Sequence, residues 1–95
     1  MKNPNELTDE ERLLILNILK QINHLYSDYS DVCVGDVIFA QAIAQQPWLP
    51  KEYYCIPHNT IALMDAFCEY GFLKKRIDGL FEITRFGLEY LKINL

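Results

Sequence analysis

Cys55 and His58 stand three residues apart, a separation at which a thiolate and an imidazole can share a metal ion. No Cys-x-x-Cys pair and no second histidine at a fitting distance completes a set of four ligands, so no metal site is expected. A Cys–His nucleophilic pair needs a third group to orient the imidazole, and the sequence marks none. Ser27 and Ser30 are the only serines, and there is no G-x-S-x-G, H-E-x-x-H or Gly-rich phosphate loop. The expectation is a chain without catalytic residues and without a cofactor. What remains is recognition chemistry. Lys74-Lys75-Arg76 is a run of three cations of the kind that neutralises phosphate. It equally suits an exposed strand kept from aggregating by charge. His58 and Asn59 can hydrogen-bond base edges, or simply satisfy the start of a helix.

The charge is unevenly placed. Residues 72–95 carry five basic and three acidic side chains, a net of +2, whereas residues 1–71 carry a net of -6. The whole chain of 95 residues has a net charge of -4 and is 51% apolar, which argues against disorder and predicts one domain spanning residues 1–95. Three cysteines without regular spacing point to a reducing, cytoplasmic setting. The first residues lack the apolar core of a signal peptide. The longest aliphatic run, Leu13 to Leu16, is far short of the ~20 residues that cross a bilayer, so no membrane partner is expected.

The elements that must position these residues follow from periodicity. Thr8-Asp9-Glu10-Glu11 is a capping box opening a first helix, whose buried face is Leu14, Ile15, Ile18, Leu19, Ile22, Leu25 and Tyr26. Leu13 and Leu16 fall on the opposite side, either as harmless exposed leucines or as a dimer or partner contact. The tandem Tyr26-Ser27-Asp28-Tyr29-Ser30-Asp31 reads as a solvated turn, and Val32-Cys33-Val34 as a short strand. Gly35-Asp36 opens a second helix from Val37 to about Gln46, burying Ile38, Phe39, Ala42 and Ile43. The aromatic loop from Pro47 to Pro57 packs on the body, with Trp48 either tucked in or serving as a partner anchor.

A third helix runs from Pro57 to Tyr70, capped by Gly71. Asp78-Gly79 predicts a hairpin with a two-residue loop, pairing Ile77 with Leu80 and Lys75 with Glu82. Thr84 caps a last helix carrying Phe86, Leu88, Tyr90, Leu91 and Ile93.

Glu69-Tyr70-Gly71-Phe72-Leu73, Asp78-Gly79, Phe81-Glu82-Ile83-Thr84, Gly87 and Tyr90-Leu91 together resemble the third-helix exit, wing and following helix of small bacterial winged helix-turn-helix transcriptional regulators. The resemblance implies a mostly helical α+β fold: a three-helix core, a short strand, a β-hairpin wing and a C-terminal helix. It implies a third helix in the DNA groove, presenting His58, Asn59, Thr60, Ala62, Asp65 and Glu69. It also implies Lys74, Lys75 and Arg76 on the duplex backbone. Two departures stand against it: about ten residues separate helices two and three, where about 3–4 are usual, and the third helix contains no Lys or Arg.

Two functions are therefore expected. One is a DNA-binding regulator, a homodimer through the first helix. The other is a protein-interaction module on the same scaffold, using Leu13, Leu16 and Trp48.

Overall fold

The computed structural model describes residues 2–26 and 37–94, with residues 23–26 described by their backbone alone. A 3₁₀ turn (Pro4–Glu6) leads into α1 (Asp9–Tyr26), β1 (Val37–Ile38), α2 (Ala40–Ala44), α3 (Pro57–Glu69), β2 (Leu73–Lys75), β3 (Phe81–Ile83) and α4 (Arg85–Ile93). Among the described residues this is a small, mostly helical α+β fold with four α-helices and a three-stranded antiparallel sheet. The strands lie in the order β1-β3-β2.

Helix α1 starts as the capping box dictates: the Glu11 amide donates to Thr8 Oγ1 and the Thr8 amide to Glu11 Oε1, each at 3.1 Å. Leu14, Ile15, Ile18, Leu19 and Ile22 are buried, as their spacing predicts. Leu16 corrects the expectation, because it is only 9% exposed and belongs to the core, whereas Leu13 is 60% exposed. Helix α1 also packs against α4, and its buried arc is wider than the single stripe that a 3.6-residue period marks.

The expected helix from Val37 to Gln46 divides in two. Val37 and Ile38 pair with Glu82 and Phe81 of β3, and the helix begins only at Ala40. Two β-branched residues facing an open sheet edge gain ladder bonds there that a helix start would not give. Phe39, expected inside, is instead 52% exposed. The strand expected at Val32–Val34, the turn at residues 27–31 and the helix opening at Gly35-Asp36 lie outside the described residues.

The segment between α2 and α3 packs inward through Trp48, Leu49 and Tyr53, while Tyr54 and Ile56 are exposed. Its last turn is held by the Cys55 amide, which donates to the Ala44 carbonyl at 2.8 Å and keeps Cys55 at φ 58. That left-handed conformation is uncommon for a residue with a Cβ. Helix α3 begins on Pro57 and stops where Gly71 turns to φ 87. Met64, Phe67 and Phe72 carry the core across to Phe81 and Ile83 of the sheet.

The hairpin forms, with a register one residue away from the expected one. Leu73, Lys74 and Lys75 face Ile83, Glu82 and Phe81 respectively. The Gly79 amide donates to the Arg76 carbonyl at 3.1 Å and the Arg76 amide to the Leu80 carbonyl at 2.8 Å, so three residues, Ile77 to Gly79, make the loop. Gly79 at φ 85 supplies the left-handed position this three-residue loop requires. The slip exchanges faces. Lys74, not Lys75, now lies opposite Glu82, and Ile77 sits at the apex rather than opposite Leu80.

Thr84 caps α4 by accepting from the Gly87 amide at 3.0 Å. Its hydroxyl hydrogen is shared between the carbonyls of Gly71 and Phe72, tying the end of the hairpin to its beginning.

Candidate functional site

The outward side of α3 and the hairpin beside it hold most of the predicted site residues, and the structure sorts them into three groups. His58 and Ala62 are exposed, as a recognition face requires. Asn59 is half-buried, and its side-chain amide donates to the Glu52 carbonyl at 2.8 Å, bracing the loop. Thr60 is not on the surface at all. It is 0% exposed, and its hydroxyl hydrogen is shared between the carbonyls of Tyr53 at 3.0 Å and Ile56 at 3.2 Å. Assigning it to a groove-reading face was wrong. Four positions into α3, it lies on the side that closes over the loop.

The acidic residues of α3 are engaged with cations of the same chain. Asp65 meets Lys75 Nζ at 3.5 Å, and Glu69 meets Lys2 Nζ at 3.1 Å. The hydrogen bond and charge of Glu69 raise the Lys2 pKa above its ordinary value. The Lys2 amide also donates to the Glu69 carbonyl at 2.9 Å, which pins the start of the chain on the end of α3. Each ion pair is partly exposed and of the kind that contributes about 0–1 kcal/mol. Their larger consequence is electrostatic: they leave the outer face of α3 without net positive charge.

The three hairpin cations are exposed and serve different ends. Lys75 turns back toward the body, its ammonium 5.6 Å from the centre of the Phe81 ring and beside Asp65. Arg76 pairs with Asp78 across the turn at 3.1 Å. Lys74 makes no ion pair among the described residues. Beneath Lys75 lies Cys68, whose thiol is pushed up to about 11 by burial, with Asp65 adding to the shift and Lys75 opposing it. A thiol so held stays protonated and unreactive near neutral pH. Cys55 is exposed, and among the described residues no three His, Cys, Asp or Glu side chains gather as a metal site would need.

Sequence reasoning missed the apolar part of this surface. Phe39 stands over a groove of ≈ 270 Å³ between α2, α3 and the hairpin, floored by Ile61 and Phe81 and edged by Lys75 and Asp78. The signal for it is the period of two across Val37-Ile38-Phe39, which sends Ile38 inward and its neighbours out. Ile77 is fully exposed at the hairpin apex, and the exposed aliphatic Ile93 was likewise unmarked as a surface residue.

Of the expected partner contacts, Leu13 alone is freely exposed. Leu16 is in the core, and Trp48 is half-buried against it because the loop's apolar residues fold inward. No helix among the described residues is long and apolar enough to cross a membrane. Comparison with protein-family models, with curated proteins and with solved structures found no match to this chain.

Proposed function

We propose that this chain is a protein-interaction module on a winged-helix scaffold that does not read duplex DNA. The scaffold reading is supported by the element order, with α2 and α3 ahead of a β2–β3 hairpin and β1 completing the sheet beside β3. One observation carries the functional part. The exposed face of α3 presents His58, Ala62 and the carboxylates of Asp65 and Glu69, with no Lys or Arg, and Lys75, the hairpin cation beside it, is paired with Asp65. Duplex binding draws much of its affinity from neutralising phosphates. This face offers little to neutralise them with, whereas Phe39 and Ile77 offer apolar surface to a protein.

A DNA-associated regulator is the second reading, favoured by the exposure of Lys74, Lys75 and Arg76 side by side on the hairpin. A labelled duplex titrated at low salt separates the two. No saturable binding is expected. Salt-dependent binding that Lys74→Glu with Lys75→Glu abolishes overturns the interaction reading. Affinity capture supplies the complementary result: a protein partner retained by the parent chain is lost with Phe39→Asp, while the unfolding midpoint changes little. A homodimer through α1 would have Leu13 but not Leu16 to contribute.

A further inference from the structure

Resting on the interaction reading above, we propose that the outer face and apex of the β2–β3 hairpin bind an acidic, extended peptide segment that carries an aliphatic residue. The surface is a shallow hollow of ≈ 560 Å³ lined by Lys74, Lys75, Arg76 and Ile77 together with the carboxylates of Asp78 and Glu82. A single exposed isoleucine is ordinary by itself. Ile77, however, projects from the apex of the one positively charged part of an otherwise acidic chain, directly after three cations. The pairing of Arg76 with Asp78 is an exposed contact that exchanges readily for another carboxylate, and Lys74 has no ion pair among the described residues. Cations flanking an aliphatic tip complement a segment in which carboxylates flank an aliphatic side chain.

Charge selects an anion, and footprint selects which anion. Duplex DNA carries a charge about every 1.7 Å of its axis and offers a groove about 12 Å wide. Three hairpin cations, one of them held by Asp65, neutralise few of a duplex's phosphates. An extended peptide at about 3.3 Å per residue covers the hairpin with roughly four residues and leaves α3 untouched. The segment crosses the hairpin's face instead of adding a strand, because α3 packs along β2.

Fluorescence anisotropy with a short labelled peptide alternating Asp with Val tests this, using the same peptide with Lys replacing Asp and an unlabelled duplex as competitor. The Asp peptide is expected to bind and to weaken as salt rises. Lys74→Glu with Arg76→Glu should weaken it about tenfold, and Ile77→Ser by a smaller factor. The Lys peptide should not bind, and the duplex should not compete. Failure of the Asp peptide to bind, equal binding of the Lys peptide, or indifference to the double substitution overturns the proposal. If the peptide fails while Phe39→Asp still abolishes capture of a protein partner, the interaction reading stands without this one. Saturable binding of the duplex removes both.

Discussion

Two corners of this molecule are built around a threonine, and they differ in how much of themselves the sequence reveals. At the hairpin-to-α4 corner, Thr84 accepts from the Gly87 amide and its hydroxyl reaches the carbonyls of Gly71 and Phe72. At the loop-to-α3 corner, the Thr60 hydroxyl reaches the carbonyls of Tyr53 and Ile56. Both side chains bind a helix to the backbone of the segment before it. Thr84 sits at a helix cap, where its role follows from position alone. Thr60 sits inside a helix turn, where a polar side chain is indistinguishable in sequence from one that faces solvent. The comparison teaches that a polar residue early in a supposed recognition helix is evidence of recognition only once its burial is known.

The hairpin corner should be the more fragile of the two. A Cβ on Gly87 would lie 2.3 Å from the Phe72 carbonyl oxygen, a backbone atom held by the Thr84 amide and hydroxyl. Gly87→Ala is therefore expected to cost about 2–4 kcal/mol in urea unfolding. A loss below about 0.5 kcal/mol would mean that α4 can move away from the hairpin without penalty.

Replacing the two threonines sharpens the contrast. Thr84→Val removes a cap and the link to Gly71 and Phe72, and should cost about 1–2 kcal/mol. Thr60→Val keeps the volume, loses the reach to Tyr53 and Ile56, and should cost about 1 kcal/mol. Neither should alter association with any nucleic acid. A change in duplex binding for Thr60→Val with an unchanged unfolding midpoint would restore it to a recognition role.

The smallest effect divides the cysteines in the same way, since Cys55 lies at the loop corner and Cys68 under the hairpin. Burial first and Asp65 second raise the Cys68 pKa from 9.0 to about 11, so the folded state disfavours its thiolate. Its contribution to stability is complete below pH 9.0 and is lost as pH rises toward about 11. Urea midpoints of the parent chain and Cys68→Ala should therefore converge or cross over that window. Near neutral pH, iodoacetamide should label Cys55 and spare Cys68; equal labelling would show the hairpin corner to be open.

The candidate site was less legible than the frame that carries it. Thr8 with Glu11, Pro57, Gly71, Asp78-Gly79 and Thr84 punctuate the chain through contacts within a few residues, and the structure places an element boundary at each. The same local rules misplaced Phe39, Leu16 and Thr60, whose exposure depends on elements distant in sequence. The hairpin shows the boundary between the two cases. Asp78-Gly79 announced the turn, but a loop of three residues instead of two reversed the faces of Lys74 and Lys75.

Sequence alone thus determined where α1, α3 and α4 begin, that a hairpin lies between the last two, and that positive charge gathers on it. Backbone conformation and local charge are set by neighbours along the chain, and neighbours are what a sequence displays. Tertiary structure decided which side chains meet solvent and which cations remain available, turning Lys75 onto Asp65, Thr60 onto Tyr53 and Phe39 outward. Burial and ion pairing depend on what packs across the core, and a linear order of residues does not contain that information in readable form.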